Sequence, residues 1–198
     1  MTLSSRSKTL TRMTSETEIT LCLDLDQSGR GKIQTGSGFL DHMLDLFQVH
    51  SGTSLSIECK GDVHIDMHHS AEDIGIVLGQ ALQECLGDKK GIERYGFYYV
   101  PMDEALARVV VDFSGRIGFV WNVKLENERI GNMDMELFRH FFKSIAENAR
   151  MNLHVELLYG EDHHHNLEAI FKAFARAVAM GISPSRRVSG VPSSKGIL

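Results

Sequence analysis

The sequence is poor in cysteine and has no long apolar run. Its three cysteines, Cys22, Cys59 and Cys85, are widely spaced and form no Cys-x-x-Cys pair, which argues against a disulfide framework and a thiolate metal site. No apolar stretch reaches the length of a membrane span, and residues 1–14 lack the hydrophobic core of a secretory signal. We therefore expect a cytoplasmic protein without a membrane partner.

An excess of positive charge is also absent. The chain carries 21 basic and 26 acidic residues in 198, a formal charge of -5, which argues against nucleic acid as a partner. Acidic residues are missing altogether after Glu168, where the remaining charged residues are Lys172, Arg176, Arg186, Arg187 and Lys195. This basic end predicts either an anionic ligand or merely a solvated tail.

Histidine, in contrast, recurs in a pattern. His68-His69-x-x-Glu72 and His164-His165-x-x-Glu168 are two copies of one motif, 96 residues apart. On a helix, the first His and the Glu of each copy share a face, because they are four residues apart. Imidazole and carboxylate suit divalent Zn, Fe, Ni or Mn, and without a thiolate the set is typical of a catalytic metal site.

The order of predicted elements also repeats. The first half reads as strand 17–25, helix 39–50, strand 53–60 and helix 68–86, and the second as strands 94–100, 104–113 and 117–125, helix 134–150, strand 151–159 and helix 163–180. We predict half-repeats at 12–91 and 92–182, followed by a basic tail at 183–198, within one compact domain. Duplication is the economical explanation.

Duplication also predicts a role for two further histidines. His42 and His140 are 98 residues apart, close to the spacing of the motifs, and both stand among large apolar residues. Singly, each would be read as a core histidine, but as a matched pair they are better read as ligands. The eight residues suffice for two metals, each with three His and one Glu and with open positions for a substrate.

The chain resembles the imidazoleglycerol-phosphate dehydratase family, the hydro-lyases of histidine biosynthesis. The resemblance covers about Arg12 to Gly196, and its motifs are Phe39-Leu40-Asp41-His42-Met43-Leu44, Asp66-Met67-His68-His69-x-x-Glu72-Asp73, Arg94-Tyr95-Gly96, Asp103-Glu104-Ala105, Asp112-x-Ser-Gly-Arg116 and His164-His165-x-x-Glu168-Ala169-x-Phe171-Lys172. One departure is visible, since Ser37-Gly38 replace the Ile-Pro that commonly precedes this Phe-Leu-Asp-His, which should loosen a loop.

The resemblance implies an α+β fold of an internally duplicated unit, ribosomal protein S5 domain 2-like, with two mixed sheets around a helical layer. It also implies a homo-oligomer of 24 subunits with two Mn²⁺ ions per active site, bound where subunits meet, and a monofunctional form without the phosphatase domain fused in some members. One ion would take His42, His69, His164 and Glu168, and the other His68, Glu72, His140 and His165.

The same resemblance implies a small-molecule phosphate substrate, imidazoleglycerol phosphate, which loses water to give imidazoleacetol phosphate. Its contacts would be Arg94, Arg116, Lys172, Ser194 and Lys195, with Glu16 as a catalytic acid or base. Of these, Arg116 has the best support, because its turn Asp112-x-Ser-Gly-Arg116 repeats the turn Asp26-x-Ser-Gly-Arg30 of the first half. The residues alone leave two alternatives open, another dinuclear metal enzyme, hydrolytic or redox, and a protein whose metals only join subunits.

Overall fold

The computed structural model describes residues 6–125 and 128–198, and it divides into two similar halves. The first half comprises β1 (Ser7–Met13), β2 (Thr17–Asp24), β3 (Ile33–Gln34), α1 (Gly38–Ser51), β4 (Ser54–Gly61) and α2 (His68–Leu86). The second comprises β5 (Tyr95–Met102), β6 (Ala105–Asp112), β7 (Gly118–Asn122), the short pair β8 (Arg129–Ile130) and β9 (Met133–Asp134), α3 (Met135–Asn148), β10 (Asn152–Tyr159) and α4 (His163–Ile182).

Each half builds a four-stranded sheet with the same order and directions. The first sheet is β1-β2-β4-β3 and the second is β5-β6-β10-β7. In both, three strands are antiparallel and the last pair, β3 with β4 or β7 with β10, is parallel. The predicted α+β fold with two mixed sheets is therefore confirmed. The exact limits of the half-repeats stay predictions.

The strands form because apolar side chains alternate along them. In β2, Ile19, Leu21 and Leu23 are fully buried while Glu18, Thr20 and Cys22 between them are not. A strand places alternate residues on opposite faces, so this pattern directs one face of the sheet toward the helices. The buried side chains of β6 alternate in the same way, from Ala105 to Val111.

The helices pair across the two halves. α1 packs against α4, and α2 packs against α3, while α2 also covers the first sheet and α4 the second. Two glycines bring α2 and α3 close together, since a Cβ at Gly75 would lie 2.7 Å from the carbonyl oxygen of Phe141 and one at Gly79 would lie 2.7 Å from that of Ile145. The helix that begins at His68 is thus held against the helix that carries His140.

Side-chain caps mark the start of α4 and of α1. Asp162 caps α4, its side chain accepting hydrogen bonds from the backbone N–H groups of His164 (2.7 Å) and His165 (3.2 Å). Ser37, the departure from the family pattern, caps α1 by accepting from Leu40. None of the helices in the described residues is long and apolar enough to cross a membrane.

Candidate metal centre

The first donor cluster joins α1 to α4. The Nε2 atoms of His42 and His164 lie 3.1 and 3.0 Å from the same oxygen, Oε1 of Glu168, and all three donor groups lie within 4.8 Å of one another. Burial opposes ionisation of Glu168, but Lys172 and the two imidazoles outweigh it and lower the pKa of this carboxyl to about 2. A buried carboxylate with two converging imidazoles is a donor set suited to a divalent cation.

The second donor cluster joins α2 to α3. The rings of His68 and His140 have centroids 5.1 Å apart, and Nε2 of His68 lies 3.6 Å from Oε2 of Glu72. Like the first cluster, this one takes two helices from different halves of the chain. In this cluster His68 lies beside both other predicted ligands, while Nε2 of His140 is 3.6 Å from Oε1 of Glu136, so its three donors converge less closely than those of the first cluster.

The remaining two predicted ligands, His69 and His165, point to other partners in this chain. Nδ1 of His69 is 3.0 Å from Oδ2 of Asp62, and Nδ1 of His165 is 2.8 Å from Oε2 of Glu104. These hydrogen bonds raise the pKa of both imidazoles. Because each Nδ1 is occupied by a carboxylate, each ring keeps Nε2 for a further partner, the arrangement typical of metal-binding histidines.

Glu16 lies beside His69. It stands at the end of the β1–β2 hairpin with a half-exposed side chain, and its Oε1 is 3.7 Å from Nε2 of His69. The carboxylate predicted as a catalytic acid or base is therefore close to the free nitrogen of a predicted ligand, which is where it could exchange a proton with a bound substrate. Its catalytic role stays a prediction.

The predicted phosphate contacts lie mostly at the opposite end of the helical layer. Arg116 and Lys195 line a cavity with Gln83, near the end of α2, whereas His68 begins that helix. From His68 to Gln83 the helix rises about 22 Å. Within one chain, Arg116 and Lys195 are therefore separated from the second donor cluster.

Arg94 makes internal contacts. Its guanidinium is 2.6 and 3.0 Å from the two carboxylate oxygens of Asp112, and Nη1 donates to the carbonyl oxygen of Pro192 at 2.8 Å. Arg94 thereby ties the basic tail to β6. Ser194, two residues after that carbonyl, is exposed, and Lys172 contacts Glu168 of the first cluster.

Known proteins are similar to this chain over nearly its whole length. The imidazoleglycerol-phosphate dehydratase family model matches residues 35–178. The dehydratase of Geobacter sulfurreducens is 53% identical over 194 residues, which cover 98% of this chain and 100% of that protein. The chain belongs to the imidazoleglycerol-phosphate dehydratase family. The dehydratase of Neisseria gonorrhoeae is 50% identical, and the chain spans 64% of its length.

Solved structures agree with the family fold. The crystal structure of imidazoleglycerol-phosphate dehydratase from Staphylococcus aureus has a TM-score of 0.82 and 46% identity, covering 90% of this chain and 99% of that one. The enzyme from Pyrococcus furiosus has a TM-score of 0.83 and 34% identity, covering 96% and 100%. The duplicated α+β architecture described above is therefore that of the dehydratase family.

Sequence reasoning missed the two carboxylates that fix His69 and His165. Asp62 follows β4, and Glu104 lies on the β5–β6 hairpin. Neither carboxylate is on the helix that carries its histidine, so helical spacing does not relate the two. Glu104 also accepts from the backbone N–H groups of Asp162 and Glu161, at 2.8 and 3.2 Å. A signal was available, since Glu104 belongs to a motif that the family shares, but spacing alone does not connect it to His165.

Proposed function

We propose that this chain dehydrates imidazoleglycerol phosphate to imidazoleacetol phosphate and water in histidine biosynthesis, with two Mn²⁺ ions per active site. Family membership supports the reaction. The observation that carries metal dependence is the convergence of His42, His164 and Glu168 within 4.8 Å. Nitrogen-rich sites favour Ni, Cu and Zn in affinity, so the choice of manganese rests on the family resemblance.

The reaction removes a hydroxyl from the carbon attached to the imidazole ring and a proton from the neighbouring carbon, giving an enol that becomes the ketone. No carbonyl is available to stabilise the charge that develops. Bound metal ions would supply electrostatic stabilisation of the ring. Glu16 would move a proton in this reaction, and the 3.7 Å distance from its carboxylate to Nε2 of His69, a predicted metal ligand, supports that role.

Phosphate binding is assigned to the basic residues. Arg116, Lys195 and Ser194 would hold the phosphate and so orient the reacting carbons, since a guanidinium can grip an oxyanion through two N–H groups. Lys172 serves a second role, because it keeps Glu168 ionised and oriented within the first donor cluster. Arg94 positions the tail through Pro192 and is proposed as a substrate contact only from the resemblance.

We infer a homo-oligomer, of 24 subunits by the resemblance, in which neighbouring copies complete each site. Two observations support shared sites. His69 and His165 lie outside the two clusters of their own chain, and α2 rises about 22 Å from His68 to Gln83, which lines the same cavity as Arg116. The outer face of the second sheet also exposes Tyr95, Phe97 and Tyr99 by 46 to 54%, a surface suited to burial between subunits. Cytoplasmic location remains a prediction from composition.

One experiment tests the function and the rival interpretations together. Metal-stripped protein is assayed for dehydration of imidazoleglycerol phosphate with and without Mn²⁺, while particle size is followed in the same samples. We expect activity and large particles to appear together on adding Mn²⁺. Large particles without turnover would instead support metals that only join subunits, and full activity in the stripped protein would refute metal dependence.

A further inference from the structure

The carboxylate of Glu16 is weakly held by its own contacts. Its side chain is 48% exposed, and its Oε1 lies 3.7 Å from Nε2 of His69. Within residues 6–125 and 128–198, this carboxylate accepts no hydrogen bond. A side chain with this freedom faces His69 consistently only if the backbone beneath it is fixed. The contacts of that backbone therefore decide where the carboxylate lies.

The backbone of Glu16 is held on both sides. Its N–H donates to Oγ1 of Thr14 at 3.1 Å, and its carbonyl oxygen accepts from the N–H of Asp62, also at 3.1 Å. Asp62 is the residue whose carboxylate contacts Nδ1 of His69 at 3.0 Å. Glu16 and His69 are therefore placed by a shared neighbour, and a shift of the turn at residues 14–17 would change the distance between them.

Two hydroxyl groups connect this turn to α2. Oγ1 of Thr17 donates to Oδ2 of Asp73 at 2.5 Å, because a carboxylate can only accept. Thr17 has then used its one hydroxyl proton, so in the 3.2 Å contact between the two threonine hydroxyls Thr14 donates and Thr17 accepts. Oγ1 of Thr14 also accepts from the N–H groups of Glu16 and Thr17. The hydrogen bonds thus run without a break from Asp73 to the amide of Glu16.

The α2 end of this network is buried. Thr17 is only 3% exposed and Asp73 only 7%, and Nε of Arg12 lies 2.9 Å from the second carboxylate oxygen of Asp73. Buried polar groups that all have partners form a rigid arrangement, whereas the loss of one partner leaves the others unsatisfied. Asp73 directly follows Glu72, so the network joins the turn to the helix that carries the second donor cluster.

We propose that Thr17 is a positioning residue, which holds Glu16 against His69 through its hydrogen bonds with Thr14 and Asp73. The proposal rests on the proposed function, because Glu16 is expected to move a proton only in that reaction. Thr17 has no contact with the substrate in this scheme and acts through Glu16 alone. Misplacing a catalytic group by about 1 Å can lower a rate by about 10²-fold, so the loss should fall on kcat rather than on KM.

Thr17→Val tests the proposal, because valine keeps the shape of threonine and suits a strand but lacks the hydroxyl. We expect kcat for imidazoleglycerol phosphate to fall roughly 10- to 100-fold, with KM and Mn²⁺ affinity unchanged. Thr17→Ser, which restores a hydroxyl, should recover most of the lost kcat. Thr20→Val is the matched control, since Thr20 lies on the same strand with an exposed side chain, and it should behave as the parent does.

A second variant and a double variant separate positioning from a structural role. Thr14→Ala, at an exposed residue, removes the acceptor of the Glu16 N–H and should lower kcat in the same way without the risk of disturbing the buried Asp73. Because Thr17 acts through Glu16, adding Thr17→Val to Glu16→Gln should lower kcat no further. A parent-like kcat in Thr17→Val, or an undiminished effect of Thr17→Val in the Glu16→Gln background, would overturn the proposal.

Hydrogen exchange of the full protein, followed by mass spectrometry, tests the turn independently of turnover. The peptide that contains Glu16 and Thr17 should exchange faster in Thr17→Val, whereas the peptides of α2 should exchange as in the parent. A parent protein that does not dehydrate the substrate would refute the proposed function, and exchange alone would then decide whether Thr17 holds the turn. Unchanged exchange in Thr17→Val would overturn the proposal even in an active dehydratase.

Discussion

Removing the carboxylate of Glu104 should weaken one metal site without unfolding the protein. In the structure this side chain fixes Nδ1 of His165 at 2.8 Å and accepts two backbone N–H groups at the start of α4. Second-sphere partners of this kind typically change metal affinity by 10- to 100-fold, so Glu104→Ala should cost about 1.4 to 2.8 kcal/mol of binding. Glu104→Gln, which keeps an acceptor oxygen, should lose less.

The assay is a Mn²⁺ titration of stripped protein by calorimetry, with thermal unfolding recorded on the same samples. Asp62→Ala, which frees Nδ1 of His69, should weaken the other site, because the two histidines are predicted to serve different ions. Glu161→Ala is the control, since this exposed neighbour contributes only its backbone N–H to the contact with Glu104. If the stripped parent binds two ions and Glu104→Ala keeps both affinities, Glu104 does not orient a ligand.

Three further outcomes follow from other parts of the structure. Asp112→Asn leaves the buried guanidinium of Arg94 without its carboxylate and should cost about 3 kcal/mol, a fall in Tm of roughly 10 °C; a loss under 1 kcal/mol would contradict this. Burial raises the pKa of the Cys85 thiol to about 12, so it should resist iodoacetamide at pH 8 until the protein is denatured, and labelling of the folded protein at this residue would refute the account. The Arg6 guanidinium lowers the pKa of Asp26, so their exposed pair should stabilise the protein by at most about 1 kcal/mol above pH 4 and lose this as the pH falls through the folded-state pKa. Asp26→Asn should therefore destabilise the protein at pH 7, and this effect should shrink steadily as the pH is lowered below 4, as measured by urea unfolding; an effect that does not depend on pH would contradict this.

The major elements were predictable because their patterns are strong. The helices that carry the two histidine motifs begin at His68 and His163, as predicted, and the strands β2 and β4 lie within one or two residues of their predicted limits. β1 was missed because Ser7–Met13 is an edge strand with no fully buried side chain, so its sequence lacks the alternation that identifies a strand. The two-residue strand β3 is too short to leave a pattern.

The donor clusters were only partly predictable from spacing. Helical periodicity brings His164 next to Glu168. Duplication predicted that His42 and His140 are equivalent, and in the structure their rings lie beside those of His164 and His68. The same periodicity could not reveal that His69 and His165 point to Asp62 and Glu104, because those contacts cross from one element to another. The burial of Lys89, which is only 3% exposed, was equally unpredictable, because a lysine in a charged turn is expected to be solvated.

The pairing of α1 with α4 and of α2 with α3 means that each donor cluster requires both halves of the chain. Each donor cluster draws on both halves, so a fragment ending in the connection between α2 and β5 would retain His42, His68 and Glu72 but neither complete group of three. Truncation at this connection therefore leaves neither donor cluster complete. If the two halves arose by duplication, the single unit could have formed the same crossed helix pairs only by associating with a second copy of itself.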